Sequence, residues 1–304
     1  MRYLAISFLL ADFVFVHGSL LTASRARQEP MFRSRSSELV VLPVTVTDKD
    51  GRLIAGLPRE HFSVFDEGRP QDIIAFSSQD IPVSIALVID DSGSMGQKLG
   101  EVVAASLAFA RWSHPDDELI VIEFNDTVRD ALNGRHLAAA DLPELQTALR
   151  SLKPDGQTAL YDALMDGMSH LDEAAHSRRI LVAVSDGGDN ASRATLDDVL
   201  ERARRSNVTM YTIGLFDNSS HDSNRGVLMR LAEATGGERF LPKSPGPLLT
   251  ACERIAREIR NSYMVGYEPP ERDGRFHHLR VELNGTGRKE LKVKTRPGYM
   301  AAEK

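Results

Sequence analysis

Cysteine is nearly absent from this chain: one residue in 304, Cys252. A single thiol cannot form an intrachain disulfide, so the fold must be held by a packed core. Excess positive charge is absent too. Lys and Arg number 37 against 43 Asp and Glu, a formal net charge of -6, which denies the chain the basic footprint that nucleic-acid binding requires. Several chemistries lack their residues. The glycine-containing pieces GGDN and TGG have neither the lysine nor the spacing of a phosphate loop, and DSGSMG is not a Gly-x-Ser-x-Gly nucleophile elbow. His170 and His176 have no Cys or His at zinc-ligand spacing, and the adjacent His277 and His278 would point to opposite faces of a strand. What is present is an ordinary globular balance, 42% hydrophobic and 26% charged, enough for one large or two small domains.

The most informative stretch is Ile81 to Met95, IPVSIALVIDDSGSM. Val83 to Ile89 is an almost uninterrupted apolar run, the signature of a strand buried on both faces of a parallel sheet. It stops at Asp90, and the C-terminal edge of such a sheet is where α/β folds place ligands. Asp90, Ser92 and Ser94 follow at alternate positions, with Gly93 easing the turn. One carboxylate and two hydroxyls are hard oxygen donors suited to Mg²⁺ or a similar cation. Equally, such residues can simply cap the next helix. Two later segments bear on that choice. PDGQTAL offers Thr158 at the start of a helical pattern, and ILVAVSDGGD is a second buried strand ending at an aspartate, Asp186.

Asp-x-Ser-x-Ser, then a Thr in a glycine-containing loop, then a strand-terminal Asp resembles the metal-ion-dependent adhesion site of von Willebrand factor type A domains, the family that includes integrin inserted domains. The resemblance spans about residues 81–260. It implies a doubly wound α/β domain with a mostly parallel central sheet and helices on both faces. It further implies that Asp90, Ser92, Ser94, Thr158 and Asp186 bind Mg²⁺ (or Mn²⁺ or Ca²⁺). Ser92 and Ser94 would coordinate directly, Thr158 in the ligand-bound arrangement, and both aspartates directly or through water. An Asp or Glu of a protein partner would complete the octahedron, so no catalytic residue and no small-molecule substrate are expected. Asp91 stands where many relatives carry an uncharged residue, and is expected to face solvent. Asp189 and Asn190 are expected to cap the helix that follows them.

Strands and helices alternate through the central region. Helices are predicted over 99–112, 141–152, 159–171, 196–205, 227–234 and 247–259, and strands over 118–124, 179–185, 209–215 and 238–242, with a short antiparallel edge near 127–132. Cys252 is spaced with Leu248, Leu249 and Ile255 on one helical face, which predicts a buried, inert thiol.

The two ends differ from the centre. Residues 1–24 read as a signal peptide, with Arg2, an apolar run from Tyr3 to Val16 and small residues up to Ser24. The run is short for a membrane span and is broken by Asp12, although an uncleaved anchor, and with it a membrane association, stays open. Residues 25–37 are a polar, basic leader. The expected location is therefore outside the cytoplasm: periplasmic, cell-envelope or secreted. Residues 38–80 and 261–304 are β-rich and bounded by turn residues, and each set alone is too small to bury a face. They are expected to join as one small β module beside the central domain. VTVTDKDGRLIAGLPREHFSVFDEG, SYMVGYEP and RPGYM are similar to segments of a group of exported bacterial VWFA-related proteins of acidobacterial type. Two other functions compete with a cation-dependent adhesion or scaffold module: a Mg²⁺-dependent hydrolase using Asp90, and a structural envelope component with a vestigial site. The hydrolase lacks a plausible acid–base partner.

Overall fold

A computed structural model describes residues 39–186, 188–216, 225–285 and 290–303. The expected signal peptide and leader, residues 1–37, lie outside these. Among the described residues no helix is long and apolar enough to cross a membrane.

The central layer begins where the apolar run begins. The flanking strands β1 (Val40–Thr47), β2 (Phe62–Asp66), β3 (Arg69–Gln71) and β4 (Ala75–Ser77) come first, and β5 (Ser84–Asp90) then opens the α/β region. Every residue of β5 is buried, because it sits between β6 (Glu118–Phe124) and β9 (Arg179–Ser185) and pairs in parallel with both. The sheet runs β11-β10-β9-β5-β6-β7, with β10 (Val208–Gly214) and β11 (Arg239–Phe240) extending the parallel side. Two short strands, β7 (Val128–Asp130) and β8 (Leu137–Ala138), pair antiparallel with β6.

Alternation along β5 divides the core in two. Ile85, Leu87 and Ile89 face one layer with α1 (Leu99–Trp112), α2 (Leu142–Arg150) and α6 (Pro245–Asn261). Ala86 and Val88 face the other, with α3 (Leu160–Glu173), α4 (Leu196–Arg205) and α5 (Arg225–Ala234). Each large side chain so buried contributes roughly 1.5–3 kcal/mol of transfer free energy. Cys252 lies in the first layer, buried and unbridged, its thiol pushed up to about 12 by burial. The chain goes from β5 to β6 on one side and returns to β9 on the other. The C-terminal ends of β5 and β9 thus flank a topological switch point, the crevice where such sheets bind ligands.

The flanks do combine. β12 (Tyr263–Tyr267), β13 (Phe276–Leu283), β14 (Lys292–Lys294) and β15 (Gly298–Met300) follow α6. They build two four-stranded sheets with the N-terminal strands, β14-β1-β12-β4 and β15-β13-β2-β3. Both sheets mix strands from the two ends, and one apolar cluster, including Leu42, Val44, Phe62, Tyr263 and Val281, lies between them. β3, absent from the sequence reading, returns from β2 through Glu67 and Gly68, both at positive φ (47° and 76°), the backbone of a two-residue hairpin turn. Buried Glu258 of α6 ties this module to the α/β layer: its Oε1 accepts from Thr45 (3.3 Å) and Tyr211 (2.8 Å) and lies 2.6 Å from Lys294 Nζ.

Candidate metal centre

Asp90 ends β5 with its carboxylate buried and fixed from two sides. Oδ1 accepts the Ser92 amide (2.9 Å) and Oδ2 accepts the hydroxyl of Ser185, the last residue of β9 (2.6 Å). The turn beyond it, Gly93–Met95, is a short 3-10 helix anchored by buried Met95. It sets the Ser92 and Ser94 hydroxyls 3.2 Å apart, Ser92 buried and Ser94 exposed.

The loop carrying Thr158 is stitched to this turn by backbone hydrogen bonds. Gly93 donates to the Gly156 carbonyl (3.2 Å) and Asp155 to the Asp91 carbonyl (3.0 Å). Gly156 has φ +72°, and a Cβ there would stand 2.7 Å from Asp126 Oδ2; Asp126 also accepts the Gln157 amide. Thr158 is buried just before α3, and its amide donates to Asn190 Oδ1 (2.9 Å) while its carbonyl accepts the amides of Asn190 and Ala191. Asp186, half-buried past the end of β9, brings Oδ2 to 3.8 Å from Lys98 Nζ. The turns that carry all five expected residues therefore lie at one edge of the sheet, cross-linked to one another.

Electrostatics at this edge favour a cation. Burial raises the Asp90 pKa; hydrogen bonds from Ser185 and Ser92 work against the rise, and the Asp186 charge adds to it. A divalent ion would remove that repulsion. The donors are all oxygen, two carboxylates and three hydroxyls, and so fit Mg²⁺ better than a softer metal.

Two expectations about neighbouring acids are corrected. Asp91 is not solvent-facing: its side chain is 0% exposed, with Oδ2 3.6 Å from Arg129. Its amide pairs with the Phe124 carbonyl, continuing the β5–β6 ladder one residue past the strand, and this turns the carboxylate inward beside Glu123. Burial and then Glu123 push its pKa up to about 6, against the nearby Lys153 backbone and the Arg129 charge. Asp189 and Asn190 do not cap the following helix α4, which Thr195 caps in a reciprocal box with Asp198. They serve α3 instead. Asp189 Oδ2 accepts the Tyr161 amide (3.0 Å), and Ser192 Oγ, itself bonded to Asp189, accepts that of Asp162. Sequence reasoning also missed Ser185, since a serine ending a buried strand carries no signal until its neighbour is known. His277 and His278 do part as expected, one buried and one exposed.

Comparison with known proteins agrees with this architecture. The family model of the von Willebrand factor type A domain matches residues 84–245, just over half of the chain. Inter-alpha-trypsin inhibitor heavy chain H3 of Mesocricetus auratus is 26% identical over 253 residues, covering 70% of this chain and 28% of that protein. The human protein of the same name is 28% identical over 230 residues, covering 64% and 26%. The chain thus spans about a quarter of the length of the curated relatives it matches. Among solved structures, a von Willebrand factor type A protein from Catenulispora acidiphila aligns with TM-score 0.53 at 14% identity, covering 89% of this chain and 76% of that one. The PilB minor pilin from Streptococcus sanguinis aligns with TM-score 0.51 at 14% identity, covering 61% and 63%. These likenesses bear on the fold.

Proposed function

The chain belongs to the von Willebrand factor type A domain family, and we propose that it is an exported, divalent-cation-dependent protein-binding module. Asp90, Ser92, Ser94, Thr158 and Asp186 would hold the ion, Mg²⁺ first among candidates. When bound, the ion supplies a Lewis-acidic position for an Asp or Glu side chain of a partner. The observation that carries this reading is the placement of buried Asp90, whose charge is made costlier by burial and by the Asp186 charge, beside hydroxyls only 3.2 Å apart. Neutral hydroxyl donors leave an ion electron-poor and receptive to a partner's carboxylate.

Two observations support binding over hydrolysis. Both Asp90 oxygens are already engaged by Ser92 and Ser185, which leaves little freedom for a nucleophile or base. Three histidines of the α/β layer, His114, His136 and His176, contact Asp117, Glu118 and Ser84, at the opposite edge of the sheet.

Calorimetric titration of Mg²⁺ and Mn²⁺ into the full chain tests the site. Saturable binding is expected, lost in Asp90→Ala with an unchanged circular dichroism spectrum; undiminished binding in that variant would overturn the assignment. Thr158→Ala separates capture from ion binding. It removes one oxygen donor and no charge, so cation binding should persist while Mg²⁺-dependent, chelator-sensitive capture of partners weakens by about a hundredfold. Equal loss of both would remove the special role of Thr158.

A further inference from the structure

At the edge of the sheet opposite Asp90, a cleft of about 800 Å³ opens between the starts of β9 and β10 and the β module. That volume is in the range of small-molecule sites. Six arginines line it, Arg178, Arg179, Arg204, Arg205, Arg272 and Arg296, and no Asp or Glu does among the described residues. Arg179 is neutralised by Asp172 and Arg205 by Glu201, both outside the lining. The others differ. Buried Arg296 donates to three carbonyl oxygens, those of Gly298, Ser206 and Arg204, which give each of its nitrogens a partner but leave its charge without an ion pair. Buried Arg178 donates to Ser262 Oγ, and its Nε has no hydrogen-bond partner among the described residues. Burial pulls both guanidinium groups down to about 10. Arg204 lies over the Phe276 ring at 5.5 Å.

The Asp117 and Asp80 charges act on Arg178 from outside the lining, but a buried cation with no ion-pair partner is still costly, and an anion of matching shape offsets that cost. The planar guanidinium fork matches the two oxygens of a carboxylate or phosphate. The opposing wall is apolar, formed by Leu39, Val41, Met264 and Met300. We propose that this cleft binds an organic anion, a carboxylate or phosphate monoester attached to an apolar body, with Arg178, Arg204 and Arg272 around the head group.

The test uses the full chain in chelator, which keeps it independent of the cation site. Octyl phosphate and octanoate are titrated calorimetrically, with octanol and inorganic phosphate in parallel. Saturable one-to-one binding of octyl phosphate or octanoate is expected, at least tenfold tighter than either control. The paired substitutions Arg204→Ser and Arg272→Ser should weaken it by about tenfold or more. Both are outside the core, so the variant stays folded where loss of buried Arg178 could unfold it. Octanol or inorganic phosphate binding as tightly, no loss in the paired variant, or no binding of either amphiphile would each overturn the proposal.

Discussion

Gly156 is the residue on which the position of Thr158 depends. Its φ of +72° is one that L side chains rarely adopt, and the Asp126 carboxylate occupies the space a Cβ would take. The same carboxylate accepts the next amide, from Gln157, so it cannot withdraw without breaking that bond. Gly156→Ala should therefore destabilise the fold by about 1–3 kcal/mol and displace Thr158 from the serine turn. Thermal unfolding and Mg²⁺ titration read the two effects, and an unshifted midpoint would show that the loop yields more easily than its contacts imply. At the same scale, Asp91 shows what a single sequence conceals. Its neighbours Asp90 and Ser92 read correctly as an edge-of-sheet cluster, but the inward turn of Asp91 follows from its pairing with Phe124, 33 positions on, and from Arg129, which the antiparallel β6–β7 register sets opposite Glu123.

Among the elements, the two helices on one face begin in opposite ways, and the difference explains which caps were legible. α4 carries its own cap: the Thr195 hydroxyl accepts the Asp198 amide and the Asp198 carboxylate accepts that of Thr195, a capping box spelled by adjacent letters. α3 has no capping side chain at its own N-cap, Ala159. Two of its first amides, those of Tyr161 and Asp162, are met by Asp189 and Ser192, about 30 residues downstream, and Asn190 accepts the Thr158 amide just ahead of it. Long periodic elements were readable because burial enforces their pattern; α1, β6, β9 and α4 fall where the apolar spacing puts them. The two-residue strand β8 and the tertiary cap of α3 were not, because neither leaves a periodic trace. The cap also binds the Asp186 loop to the Thr158 loop. Asp189→Ala removes an acceptor for the Tyr161 amide and should cost about 1 kcal/mol, with faster hydrogen exchange at the first turn of α3. Unaltered exchange there would mean that water replaces the carboxylate at no cost.

For the whole molecule, the question is what holds the ends of the chain together around the inserted α/β layer. That they combine was legible, since neither flank could bury a face alone. How they lock was not, because the lock is a buried polar cluster drawn from both ends. Asp66 of β2 accepts the hydroxyls of Tyr267 (2.7 Å) and Tyr299 (3.0 Å) and lies 3.0 Å from His277 Nδ1; the other ring nitrogen lies 3.1 Å from Asp273. Burial alone would lower the His277 pKa, but hydrogen bonds to Asp66 and Asp273, helped by their charges, outweigh it and the net shift is upward. The tyrosines are pushed well above their ordinary range, by burial first, and so keep their protons across neutral pH. An imidazole whose pKa is raised on folding stabilises the native state fully below its unfolded value of about 6.5. Above that the unfolded chain loses its proton first, and the contribution disappears as pH rises through the folded value. The wild-type unfolding midpoint should thus fall between pH 6 and 8.5 by more than that of His277→Gln, which keeps the shape but cannot titrate. Every other histidine is common to both proteins, so the difference between the two curves isolates His277. Parallel curves would mean that the two ends are held by the apolar cluster alone, with the Asp66–His277 pair contributing nothing that depends on charge.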